Sequence, residues 1–456
     1  MFFWSNISVN YNVLIKQMVV FAAMMVSASA YAAEITTLRE SVNYALHHNR
    51  LLAADNSSIE QARAGQDMAY GHFMPRIDLS TGVARTDSPS NYFGTKLNQR
   101  KITAAAFNPV FLNDPGYINN YQTRLNIRMP IYQGGALWAG KVQADHQAEA
   151  AILSHDYRRQ QVIYQTVAAY VQTRQSYAAI HAMQTAVSAA EKRYQDTKAL
   201  QKRGVLIQSD VMDANVHLLR NQLRLKQANN AYAQALDALQ RVLGLDAGTG
   251  ITAVKEPHLA VVEWTVDEAV DVALAKRADL KALEAAYQAS QAGVDVTKAA
   301  FLPHVDLVAG QEWNASTPAL KNRNTMIGAT ISMNLFAGGS DRARTRASRA
   351  KQIALELKLG DWKQQIRNEV RRAWRMLDES KVRDASEREA LKQSEESLRI
   401  KSLRYEQGLV RTSDLLDAQL QVDTTRLSSI RARYDVTIAQ VALQLAVGTL
   451  NEGVTQ

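Results

Sequence analysis

Two periodicities alternate along this chain, and the alternation occurs twice. Residues 38–72 and 266–300 space their apolar side chains by three and four, which predicts helices. Each stretch ends at a Phe-x-Pro, Phe73 to Pro75 and Phe301 to Pro303, where the proline biases the residue before it away from helical backbone. The period then falls to two. Ile77, Leu79, Thr81 and Val83 alternate with Arg76, Asp78, Ser80 and Gly82; on the return, Tyr121, Thr123, Leu125, Ile127, Met129 and Ile131 alternate with Gln122, Arg124, Asn126 and Arg128. In the second half Val305 and Leu307 oppose His304 and Asp306, while Thr325, Ile327, Ala329, Ile331, Met333 and Leu335 alternate with Gly328, Thr330, Ser332 and Asn334. These runs predict strand hairpins over 75–133 and 303–337, each leading into a double glycine.

Beyond the double glycines, no proline lies between Pro130 and Pro257, and none after Pro318. Residues 136–203 and 340–407 are rich in helix formers, and at about 1.5 Å per residue each predicted helix spans on the order of 100 Å. Stripes such as Ile366, Val370, Ala373, Leu377 and Leu427, Ile430, Tyr434, Ile438 step as coiled-coil seams do. Gly204 and Gly408 stop the long helices, and Ser209 or Asp210 and Ser413 or Asp414 stand where return helices over 209–243 and 413–447 need N-caps.

The two halves are copies. "FMPRIDLSTG" at 73–82 returns as "FLPHVDLVAG" at 301–310, an offset of 228 that also matches Gly65 with Gly293. From "IRMPIYQGG" at 127–135 and "ISMNLFAGG" at 331–339 onward the offset is 204, pairing Gly204, Ser209, Asp210 and Asp213 with Gly408, Ser413, Asp414 and Asp417. The offsets differ by 24 residues, so the first hairpin carries the longer loop, roughly 86–118. Residues 34–250 and 251–456 are therefore the two repeats, behind a first segment of a different kind. In that segment, 1–33, Lys16 precedes the apolar run "MVVFAAMMV" and small-residue cleavage sites follow, which predicts a secretory signal peptide.

Apolar residues on one strand face and Arg, Asp, Asn and Gln on the other suit lipid outside and water inside, and about ten alternating residues cross a bilayer. Four strands cannot close a barrel, and open edges cannot face lipid with their N–H and C=O groups unpaired. The chain must assemble with copies of itself: two copies give eight strands with a filled interior, three give twelve and room for a channel. Three is the expectation. The pattern alone also fits a soluble sheet with one wet face, so a periplasmic coiled-coil scaffold or adaptor is the alternative.

Composition narrows the function. With 7% aromatic and 21% charged residues, and mean hydropathy −0.26, the chain is neither a bundle of membrane helices nor a compact enzyme core. It has no cysteine, which removes disulfides, thiolate metal sites and Cys nucleophiles. The net charge of +9 is spread along helix faces without interleaved aromatics, so no nucleic-acid partner is expected. Nine histidines, His47 and His48 among them, show no metal-ligand spacing, and no phosphate loop or nucleophile elbow occurs. No catalytic site, cofactor or metal is expected.

The duplicated F-x-P-x-h-D-L, the "IYQGG" and "LFAGG" strand endings and the "RGVLIQSDV" and "QGLVRTSDLLDAQ" turns together resemble the TolC family of outer-membrane efflux and secretion channels, over essentially the whole mature chain. The resemblance implies an α+β membrane protein: a homotrimer with four strands per subunit in a shared twelve-stranded barrel, and long helices forming a periplasmic tunnel. It implies an exit duct in outer-membrane lipid that docks onto a periplasmic adaptor, or membrane fusion, protein and is driven by an inner-membrane transporter of RND, ABC or MFS type.

The resemblance also places candidate residues. Asp414 and Asp417, with Asp210 and Asp213 equivalent in the first copy, match the aspartates of the family's periplasmic constriction; Asp-x-x-Asp puts both carboxylates on one helical face, and threefold symmetry turns them into anionic rings. Acids in a first helical turn also complement the macrodipole, so a purely structural role stands beside that one. Tyr405 matches a tyrosine that latches the tip, with Asp210 its implied acceptor, or simply packs its ring. The family's latching arginine position is Val410 here, with Arg411 next to it. Gly204, Val205, Gly408 and Leu409 match the tip turns presented to the adaptor, and equally punctuate the helices. The longer loop narrows the outer mouth or is an ordinary surface loop.

Overall fold

The structure, a computed structural model, describes residues 37–245, 255–257 and 263–451. The expected signal peptide at 1–33 lies outside the described residues. The first repeat runs α1 (Leu38–His48), α2 (Arg50–Gly71), β1 (Arg76–Thr86), α3 (Pro89–Asn98), α4 (Pro109–Asn113), β2 (Ile118–Gln133), α5 (Ala136–Lys202) and α6 (Gln208–Leu243). The second runs α7 (Val266–Lys276), α8 (Ala278–Lys298), β3 (His304–Ala315), β4 (Arg323–Ser332), α9 (Ser340–Glu406) and α10 (Thr412–Val447). Among the described residues no helix is long and apolar enough to cross a membrane.

Both repeats open with the same device. Thr37 and Glu40 at the head of α1, and Thr265 and Glu268 at the head of α7, exchange side-chain and backbone hydrogen bonds as capping boxes. The single helices expected over 38–72 and 266–300 are each broken in two. Asn49 (ψ 121°) and Arg277 (ψ 122°), equivalent at the 228 offset, leave helical backbone there. Each break is held by the return helix of its own repeat: Asn49 Nδ2 donates to the Val242 carbonyl at 3.0 Å, and Arg277 Nη1 to that of Ala446, the 204-offset equivalent, at 3.3 Å. Apolar spacing runs unbroken through both positions, so periodicity did not register the break, although Asn49 also marks it locally as an N-cap whose Oδ1 accepts from Leu51 N at 2.9 Å.

The four strands form one antiparallel sheet in the order β1-β2-β3-β4. Its register sets Ile77, Ile127, Ala309 and Ile327 in one row, with Asp78, Asn126, Gly310 and Met326 in the next, so one face is largely apolar and the other largely polar. The polar face is tied across strands: Arg124 Nε donates to Glu312 Oε2 at 2.9 Å, and Asn120 Nδ2 to Asn314 Oδ1 at 2.7 Å. The expected alternation through Ile131 fails. A bulge between Pro130 and Tyr132 leaves Ile131 out of the ladder and sets Tyr132 against Val305, as a proline that cannot donate favours. The expected continuation of β4 through Met333 and Leu335 also stops short, because the β3 ladder would set Met333 against Pro303.

The longer loop is not open chain. Pro89 at the first position of α3 and Asn108, whose Oδ1 accepts from Val110 N at 3.0 Å, start two short helices, and Phe93 meets Phe107 edge to face. Gln99, almost fully buried, fastens this insertion to the sheet through Asn119 O at 2.8 Å and Asn120 Oδ1 at 3.0 Å.

The core comprises separate clusters around the helices, the two larger of them built on α1 and α7. Val42 of α1 packs with Val167 and Tyr170 of α5, Leu243 of α6 and Val441 of α10; Val270 of α7 packs with Ile366 and Val370 of α9 and Val447 of α10. Each such side chain contributes about 1.5–3 kcal/mol by leaving water. The equivalent helices nonetheless differ sharply. α8 buries eight residues because it lies between α5 and α9, whereas its counterpart α2 buries only Leu52. α5 buries 16 residues and its counterpart α9 six. Two flanks of the chain, on α2 and α9, therefore lack the neighbours their copies have.

Candidate functional site

Each helix pair turns at the end farthest from the sheet, and the two turns are built alike. After α5, Gly204 takes φ 76° and Val205 N returns to Leu200 O at 3.0 Å; after α9, Gly408 takes φ 73° and Leu409 N returns to Arg404 O at 2.9 Å. A left-handed glycine closes the helix by satisfying its last carbonyls, which any side chain there would strain. The residue after each glycine is apolar and open to solvent, Val205 at 67% and Leu409 at 71% exposure.

The return helices start earlier than expected. Ile207 and Arg411 occupy the N-cap positions, and neither offers a side-chain acceptor to the first turn. Ser209 and Ser413 are already helical, and Asp210 sits three residues into its helix, accepting from Ile207 N at 3.3 Å. Thr412, almost fully buried, holds the α10 start: its Oγ1 lies 3.4 Å from Tyr405 Oη. Tyr405 is thus partnered by Thr412 rather than by Asp210.

Between the two turns lies a cleft of about 970 Å³. It gathers Tyr405, Asp210, Asp213, Arg411, Val205, Gly408 and Leu409, which the repeat had placed far apart in sequence. Asp414 does not join them; it opens on a separate cleft beside Glu396, Lys401 and Arg404. Asp417, one turn further along α10, is exposed. Four predicted aspartates therefore divide between two surfaces of the tip.

Two cleft residues escaped the sequence reading. The Arg193 guanidinium stands 5.7 Å from the Tyr405 ring centre, and Asp196 lines the wall one turn on. The second copy carries Ser397 and Ile400 at these positions, so the duplication gave no signal. Above the tip a further group is buried between α6 and α10. Asp423, nearly inaccessible, accepts from Gln419 Nε2 at 3.0 Å and Asn221 Nδ2 at 3.4 Å. Beside it, His217 has both ring nitrogens buried with no hydrogen-bond partner among the described residues. Burial lowers the His217 pKa, the nearby Asp423 opposes that, and Arg224 and Arg220 add to it.

Known proteins share this architecture. The family model described as outer membrane efflux protein matches residues 41–245 and 269–449. Protein CyaE of Bordetella pertussis is 25% identical over 427 residues, covering 91% of this chain and 84% of that protein. The outer membrane efflux protein BepC of Brucella suis is 22% identical over 419 residues, covering 87% and 83%. The crystal structure of the outer membrane protein VceC from Vibrio cholerae superposes with a TM-score of 0.78 at 19% identity, covering 90% of this chain and 96% of that one.

Proposed function

This chain belongs to the outer membrane efflux protein family, and from that premise we propose that three copies close their sheets into one barrel and their helices into one tunnel, a homotrimeric duct that conducts solutes passively. The protein is an outer-membrane channel with its helical tunnel in the periplasm, serving efflux or secretion. Nothing favours the soluble scaffold: Ile77, Leu79, Ile327 and Ile331 would stand open to water on an unshielded sheet face.

One observation supports assembly of copies side by side, and the need for a lumen sets their number at three. Contacts made between the repeats inside the chain have unfilled equivalents on its flanks. A Cβ on Gly293 of α8 would lie 3.2 Å from the Gln143 amide of α5, but nothing comes near Gly65, its equivalent on α2. A Cβ on Gly134 would lie 2.6 Å from the Ala299 carbonyl, while Gly338 meets nothing. Rotating the internal contact by the two offsets sets Gly65 against Ala347, and Gly338 against Gly71, of the next copy. The open edges of β1 and β4 then pair, which lipid requires.

In this duct Asp414 and Asp417 form one pair of anionic rings and Asp210 and Asp213 face the cleft between coiled coils. Tyr405, with Thr412 and Arg193, latches the tip closed, and Arg411 supplies a cation beside it. Val205 and Leu409, apolar and projecting beyond their glycines, receive the hairpins of a periplasmic adaptor that links the duct to an inner-membrane transporter. The duct does no chemistry of its own.

Purified protein reconstituted in a planar bilayer tests this reading. Stepwise conductance from particles of trimer mass is the expected result; a monomer that stays soluble and monodisperse without detergent would overturn it.

A further inference from the structure

The apolar face of the sheet ends in cations at its far rim, the end away from the long helices. Along β1 the face runs Ile77, Leu79, Thr81, Val83 and then Arg85; along β4 it runs Ile331, Ala329, Ile327, Thr325 and then Arg323. Each cation has an aromatic companion. Arg85 lies 4.8 Å from the Tyr117 ring centre, and Arg323 stands opposite Trp313 in the register. Aromatic rings with cations, where an apolar band stops, mark a bilayer–water boundary.

The inserted segment brings more positive charge to the same rim. Arg100, from a left-handed backbone conformation with φ 52°, donates Nη2 to the Arg323 carbonyl at 3.0 Å, and Lys101 Nζ donates to Ser316 Oγ at 2.6 Å. Arg85, Arg100, Lys101 and Arg323 are all exposed, and none has an ion pair among the described residues. Basic residues outnumber acids here: Glu312 pairs with Arg124 on the polar face, and the inserted segment carries Asp87 and Asp114 against Lys96, Arg100 and Lys101.

We propose that this rim binds the phosphate groups of outer-leaflet glycolipid, through Arg323 of one subunit and Arg85 of the next. The proposal rests on the trimeric barrel reading. β1 and β4 are the two free edges, so closing the barrel brings Arg85 and Arg323 to the same end of the same seam, on the face that meets lipid. Like charges at one seam destabilise it unless an anion comes between them. Guanidinium forks match phosphate oxygens in a way that an ammonium or a water shell does not. The tunnel lies in the periplasm, so the opposite rim reaches the exterior leaflet, whose phosphates are carried on sugars.

The test is native mass spectrometry of the detergent-solubilised protein titrated with purified lipopolysaccharide, with the same glycolipid after enzymatic dephosphorylation, and with phosphatidylglycerol. The wild-type trimer should take up to three lipopolysaccharide molecules. The Arg85→Gln/Arg323→Gln variant should keep its trimer mass and bind about tenfold or more weakly, because each cation near an anionic headgroup strengthens binding severalfold. Dephosphorylated glycolipid should bind neither protein. Equal uptake by variant and wild type, equal uptake of the dephosphorylated form, or equally tight phosphatidylglycerol would overturn the site. A trimer with no adducts sinks the lipid site alone, and the absence of any trimer sinks the barrel reading beneath it.

Discussion

Replacing Arg277 by Met should loosen the junction where α7, α8, α9 and α10 meet. The guanidinium is 1% exposed and makes two bonds to Asp279, at 3.0 and 2.7 Å, one to Glu369 at 2.7 Å and one to the Ala446 carbonyl at 3.3 Å. Methionine keeps the apolar stem, so the change falls on the charge. Asp279 is left nearly buried with Trp362 Nε1, at 3.1 Å, as its remaining donor; removing one partner of a buried pair costs about 3–5 kcal/mol. Glu369 is over a third exposed and rehydrates, so its arm adds no more than about 1 kcal/mol. At about 1.4 kcal/mol per tenfold, amides over 273–281 and 443–449 should exchange hydrogen between about a hundredfold and several thousandfold faster in the detergent-solubilised protein. Arg277→Met/Asp279→Leu should recover to within about tenfold of wild type, since no unpaired charge remains. Exchange within threefold of wild type in the single variant, or a double variant no better than the single, would refute the reasoning.

Three further outcomes follow from the tip and the seam above it. Tyr405→Phe removes the Thr412 contact, about 0.5–1.5 kcal/mol, and should raise the open fraction of single channels about three- to tenfold; an unchanged open fraction means the tyrosine only packs its ring. Asp414→Ala/Asp417→Ala should weaken divalent-cation block of the current by about tenfold, by loss of anionic rings, and unchanged block would place these carboxylates off the constriction. The depressed His217 pKa means the folded state resists a proton that the unfolded chain accepts, so its stability contribution is full above the unfolded histidine pKa and is lost as pH falls below it. Thermal unfolding should therefore drop between pH 7.5 and 5.5, and His217→Leu should flatten that drop; an equal slope in both would remove His217 as the cause.

The long elements were readable because their ends are written in glycine and their interiors lack proline. Residues 136–203 and 340–407 became Ala136–Lys202 and Ser340–Glu406, and the return helices began one residue before their expected starts. What escaped was made by contacts distant in sequence. The breaks at Asn49 and Arg277 are tied to carbonyls of Val242 and Ala446, 193 and 169 residues away along the chain. At the tip, duplication found Asp210 and Asp213 because both copies share the turn; Tyr405, whose equivalent is Gln201, came from the family resemblance alone, and Arg193 and Asp196 were missed because only one copy has them. It also gave no sign that Asp414 and Asp210, equivalent in sequence, open on different clefts, since each repeat has a different neighbour.

The central claim is that the flank on α2 of one subunit is completed by the flank on α9 of another, as α8 is completed by α5 within the chain. The natural chain has no cysteine, so introduced thiols react without background. Gly65→Cys/Ala347→Cys, treated with a short bis-thiosulfonate crosslinker in native membranes, should give covalent dimers and trimers on a denaturing gel, while Gln143→Cys/Gly293→Cys crosslinks within single chains. Crosslinking of the internal pair, with only monomers from Gly65→Cys/Ala347→Cys, would contradict the account.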